Sequence, residues 1–74
     1  MNRILITGWS TGFNKVETNK KLRSYLLYDL REAKDAVDAI LRGELIELEV
    51  SADQAEQLCS ELIALGAICR LVDG

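Results

Sequence analysis

The stretch that decides the fold is Asp29-Leu30-Arg31-Glu32-Ala33-Lys34-Asp35-Ala36-Val37-Asp38-Ala39-Ile40-Leu41-Arg42-Gly43-Glu44-Leu45-Ile46-Glu47-Leu48-Glu49-Val50. Its hydrophobic period changes partway along. Leu30, Ala33, Val37, Ile40 and Leu41 recur at the spacing of one helix face, and Asp29 with Glu32 three residues on is a reciprocal N-terminal cap. Gly43 stands where a left-handed residue ends a helix. Beyond it Ile46, Leu48 and Val50 alternate with Glu47 and Glu49, the pattern of a strand with one buried and one wet face. One stretch therefore predicts a helix from Leu30 and a strand over residues 44–50.

Outward from this segment the same signals repeat. Ser51 with Gln54 reads as another capping box, opening a helix whose inner face is Ala55, Leu58, Cys59, Leu62 and Leu65, with Gly66 as its stop. Residues 67–72 close as a strand, Cys69 and Leu71 facing one way and Arg70 the other. Toward the N-terminus, Arg3-Ile4-Leu5-Ile6-Thr7 is a short β-branched run, read as a strand buried on both faces. The glycines of Gly8-Trp9-Ser10-Thr11-Gly12 mark a loop, and Asn14 with Glu17 caps a helix over residues 15–28.

The resulting order is β-α-α-β-α-β. If each element reverses direction, the second and third strands run the same way, and placing the first between them makes every pairing antiparallel. The expected fold class is α+β, two-layered, a three-stranded antiparallel sheet with three helices on one face.

Composition limits what such a chain does. At 74 residues it is read as one domain, 1–74, and 49% hydrophobic content argues against disorder. No apolar run approaches the ~20 residues of a membrane span, and Met1–Thr7 lacks a small-residue cleavage site. The chain is therefore expected to be soluble and cytoplasmic. Cys59 and Cys69 have neither redox-motif nor zinc-site spacing, and the sequence contains no histidine. They read as small buried hydrophobes, with a disulfide between them as the alternative. No metal and no cofactor is expected.

Gly8-Trp9-Ser10-Thr11-Gly12 fits G-x-S-x-G, but a serine nucleophile needs a base that a chain without histidine does not supply. Nor does a Lys-Ser/Thr pair follow the second glycine, as a phosphate-binding loop requires. Glu47 and Glu49 share a solvated strand face with no apolar pocket to raise a pKa. The chain is read as non-catalytic.

Charge carries the remaining information. Residues 1–43 hold eight Lys/Arg against five Asp/Glu, a balance of +3; residues 44–74 hold one against seven, a balance of −6. Six of those eight basic residues lie on the first two helices: Lys15, Lys20, Lys21, Arg23, Arg31 and Lys34. Val16, Lys20, Arg23 and Leu27 fall on one helical stripe, an aliphatic contact ringed by donors of the kind that meets acidic protein surfaces. An ordinary solvated helix face is the plain alternative.

At these residues the sequence resembles a known family. Asn14-Lys15-Val16, then Lys20, Arg23 and Leu30-Arg31-Glu32-Ala33-Lys34-Asp35-Ala36-Val37, resemble the C-terminal domain of the bacterial ribosomal stalk protein. Ser51-Ala52-Asp53-Gln54-Ala55-Glu56 and Leu65-Gly66-Ala67 look like its last helix and strand, so the likeness covers about residues 14–72. The resemblance implies a non-catalytic module that contacts translational GTPases through basic helices, with Val16, Lys20, Arg23, Arg31 and Lys34 as the partner-binding residues. Two departures stand out. Asn19 replaces an aliphatic residue of the family pattern, and Ser24, Leu27 and Asp29 stand where the family has glycines. The stalk protein's dimerisation domain and hinge have no counterpart in residues 1–74, so a stand-alone copy of the domain is expected. A Clp-protease adaptor is similar in fold and is one alternative. RNA binding is the other, weakened by the net charge of −3.

Overall fold

β1 (Asn2–Trp9), α1 (Lys15–Leu26), α2 (Leu30–Leu41), β2 (Ile46–Val50), α3 (Ala52–Ala64) and β3 (Ala67–Asp73) follow one another in the computed structural model, which describes residues 2–73. This is the α+β order read from the sequence. The strands stand in the order β2-β1-β3, with both pairings antiparallel.

Register decides which face is buried. Ile4 lies between Leu48 and Leu71, and Ile6 between Ile46 and Cys69; these rows face the helices. Leu5 lies between Glu47 and Arg70 on the opposite face, which no helix covers, and is only half-buried. The expectation that β1 is buried on both faces is corrected accordingly: one helical layer shields one side of one sheet. Ile4, Ile6, Leu22, Ala33, Val37, Ile40, Leu48, Leu58 and Leu62 join in a single core cluster. At about 25 cal/mol per Å² of apolar surface removed from water, such side chains dominate the stability of a chain this small. α2 and α3 pack on the sheet, while α1 packs chiefly on those two helices.

Several boundaries differ from expectation. β1 continues through Gly8 and Trp9, which pair with Ile68 and Ala67 across a register shift after Ile6. That bulge lets a segment read as loop extend the ladder. β2 begins at Ile46, not at residue 44. α1 stops at Leu26 because Leu27 turns left-handed, with φ of 58°.

The caps differ too. Asp29 and Glu32 form the full reciprocal box, with bonds of 2.7 and 3.1 Å. Asn14 makes only half of one, its Oδ1 accepting from the Glu17 N–H at 3.0 Å, and Glu17 turns instead to Lys20. Ser51 makes no side-chain bond to the helix backbone; its hydroxyl meets the Gln54 side chain at 3.4 Å.

Gly66 ends α3 as read, with φ of 98°, and a second constraint acts on it. A Cβ at this position would lie 2.8 Å from the Phe13 Cα. The α3–β3 turn therefore needs glycine both for its backbone angle and for the close passage of the β1–α1 loop. That loop is fastened there by Ser10 N–H to Gly66 O at 2.9 Å and Asn14 N–H to Leu65 O at 2.8 Å.

Candidate protein-binding groove

The caps that start α1 and α2 fix how the two helices face each other. Asn14 holds the first turn of α1 and anchors it to the end of α3, and Thr18 and Leu22 bury the inner side of the helix. The polar residues between those two turn outward. α2 begins at the Asp29–Glu32 box and buries Ala33, Val37 and Ile40. Leu30, assigned from its spacing to the inner face, is 64% exposed. It occupies the first helical turn, beyond the reach of the core, so its side chain stands at the mouth of the cleft between α1 and α2.

That cleft is an open groove of about 380 Å³ lined by Lys15, Val16, Asn19 and Arg23 from α1 and by Leu30, Lys34, Val37 and Asp38 from α2. Val16 is 59% exposed, so the groove offers two large aliphatic side chains to solvent. Three basic groups and one carboxylate surround them.

The five residues singled out from the sequence divide here. Val16, Arg23 and Lys34 meet in the groove; Lys20 and Arg31 are exposed on the same two helices but do not line it. Their charges are in different states of use. Lys34 Nζ lies 2.9 Å from Asp38 Oδ2 one turn on. The hydrogen bond between them holds the Asp38 carboxyl below its ordinary range and raises Lys34 above its own. Lys20 pairs with Glu17 at 3.3 Å. Lys15, Arg23 and Arg31 make no ion pair among the described residues. Exposed pairs of this type are worth at most about 1 kcal/mol, so Lys20 and Lys34 exchange partners at little cost.

Lys21 belongs elsewhere. Its ammonium lies 2.7 Å from Glu61 on α3, and the Tyr25 hydroxyl donates to the same carboxylate. Hydrogen bonds from Lys21 first, then Tyr25, pull the Glu61 carboxyl below its usual value. This basic residue therefore ties α1 to α3. Sequence reasoning did not assign Lys15, Asn19, Leu30, Val37 or Asp38 of the groove to a binding role, and Asn19 and Leu30 are the two it could have found. Their signal was the i, i+4 spacing, which puts Asn19 one turn from Lys15 and from Arg23, and Leu30 one turn from Lys34.

Leu27, on the stripe with Val16 and Arg23, is the left-handed C-cap of α1 and is 87% exposed. It does not line the groove and stands at the turn that joins the two helices.

The end of β1 and the loop after it do other work. The Ser10 hydroxyl donates to Gly66 O at 3.2 Å, and the Trp9 indole Nε1–H donates to Leu41 O at 3.2 Å, satisfying a carbonyl in the last turn of α2. Both side chains are engaged in holding the loop. Among the described residues no helix is long and apolar enough to cross a membrane.

No curated protein matches the chain. The family model described as the ribosomal protein L7/L12 C-terminal domain matches residues 4–72, nearly the full length and all six elements. With the predicted order of elements found and the basic helices in place, the chain belongs to the ribosomal protein L7/L12 C-terminal domain family.

Proposed function

We propose that the groove between α1 and α2 is a docking site for an acidic protein surface, with a translational GTPase as the partner class that family membership favours. The observation that carries this reading is the pairing of exposed aliphatic side chains, Val16 and Leu30, with Lys15 and Arg23, neither of which forms an ion pair among the described residues. Binding energy in protein interfaces concentrates where apolar anchors lose water within a polar rim. Val16 and Leu30 are those anchors, and the cations steer the approach and fix register. Lys20 and Arg31 widen the positive field on the flank of the groove. Such a role sets the protein's work in the cytoplasm at the ribosome, without chemistry of its own.

Asn19 makes this groove more polar than the family pattern at one position. A partner that places a hydrogen-bonding group there gains selectivity over one that presents a methyl group, because a buried amide left unpaired costs about 1–3 kcal/mol.

The test is titration of a translational GTPase with the wild-type chain, Val16→Asp, and the double variant Arg23→Glu/Lys34→Glu. Each variant is expected to weaken binding at least about fivefold, since loss of a central anchor costs over about 1 kcal/mol. Arg70→Glu, on the open sheet face, serves as the control and is expected to change little. Equal affinity for all four proteins would refute the assignment of the groove.

A further inference from the structure

Cys59 and Cys69 are the only cysteines of the chain, and the fold sets them against each other. Cys59 lies on the inner side of α3 beside Leu58 and Leu62; Cys69 faces the helices from β3, in the row of Ile6 and Ile46. Their sulfurs are 3.9 Å apart, and Cys69 Sγ is 3.8 Å from the Cys59 carbonyl oxygen. Both are free thiols. A disulfide needs the sulfurs about 1.9 Å closer, given a bond near 2.05 Å. A route from solvent exists as well: a groove of about 290 Å³ beside the β3 edge is lined by Glu56, Cys59, Ser60, Ile63 and Leu71.

We infer that Cys59 and Cys69 form a reversible modification site, closing to an intramolecular disulfide on reaction with a low-molecular-weight disulfide of the glutathione class. The inference rests on the α3–β3 packing and is independent of the partner-binding reading. In the first step one cysteine thiolate attacks a sulfur of the small disulfide. A mixed disulfide forms, and one small thiolate leaves and takes up a proton. The second cysteine, already in contact, then loses its proton and attacks the protein-side sulfur, expelling the other small thiolate. Two protein thiols are thereby oxidised by two electrons and one small disulfide is reduced to two thiols. Burial and the neighbouring Cys59 push the Cys69 thiol up to about 12, which makes the exchange slow near neutral pH.

The bridge would pin α3 to β3 and close a short loop that contains the Gly66 turn. Loop closure of this kind raises the melting temperature, by about 10 °C for a domain of this size. It does not touch α1 or α2.

The experiment incubates the protein with excess oxidised glutathione at about pH 8.5, where ordinary thiols ionise, until its mass stops changing. Intact-mass spectrometry and thermal melting follow, before and after a reductant. The expected product has lost the mass of two hydrogens, carries no glutathione, melts higher and reverts on reduction. Cys59→Ala and Cys69→Ala, with Cys59→Ser and Cys69→Ser as second versions, are expected to stop at the mixed disulfide or remain unmodified. A wild-type product that keeps glutathione, stays unmodified or melts lower overturns the proposal.

Discussion

Leu27 holds a backbone conformation that an L-residue enters at a cost of about 1–2 kcal/mol. With 87% of its surface exposed it recovers little of that by burial. Glycine, which has no Cβ, would relieve the strain at this turn. Leu27→Gly is expected to raise the stability of the domain by roughly 1 kcal/mol, measured by urea unfolding. Should the same variant bind the partner more weakly, Leu27 is an anchor kept at the expense of stability. Gly66 is the opposite case. Gly66→Ala forces a Cβ to within 2.8 Å of the Phe13 backbone at a φ of 98°. It is expected to cost about 3 kcal/mol, seen as a melting temperature lowered by more than about 10 °C. That glycine was legible as a helix stop, whereas the approach of Phe13 was not: a contact across more than fifty residues leaves no local signal. The exposure of Leu30 escaped for a related reason, since periodicity records the side a residue lies on and not how far along the helix the core extends.

At the level of elements, α1 is joined to α3 by Lys21, Tyr25 and Glu61, whose contact sits on the rim of the core. Glu61 titrates below its ordinary 4.5 in the folded chain and Lys21 above its ordinary 10.5. The carboxylate's contribution is therefore complete above its unfolded pKa and disappears as pH falls through the folded one. The ammonium's is complete below its unfolded pKa and disappears as pH rises through the folded one. Between those limits the contact is intact. Melting temperature is expected to fall more steeply below about pH 4.5 in the wild type than in Glu61→Gln, which keeps the tyrosine bond but has no charge to lose. Parallel curves would show that the contact carries no weight. All six elements and their order were readable because caps, glycine stops and a change of hydrophobic period each mark a local event. The end of α1 and the extension of β1 were not, because a left-handed leucine and a bulge are choices made by the packed chain.

Across the whole molecule, α1 and α2 carry six of the nine basic residues against four acids, while β2 and α3 carry five acids and no basic residue. An approaching acidic partner is thus oriented before contact. Raising salt from 0.05 to 0.5 M, which shortens the Debye length from about 14 to about 4 Å, is expected to slow association more than it speeds dissociation. Stopped-flow traces at several ionic strengths would show it. How much of the binding site could be read in advance follows from this distribution: Val16, Arg23 and Lys34 belong to a charge and periodicity pattern visible in one dimension. Which cations remain unpaired, and that Lys21 serves α3 instead, depends on distances that only the folded chain sets. The single tryptophan lends the molecule one more property. Trp9 is 43% exposed, and its indole N–H is held by the last turn of α2. Its emission wavelength and anisotropy therefore register whether that helix end is seated on the sheet, giving every titration described above an internal optical gauge that needs no label.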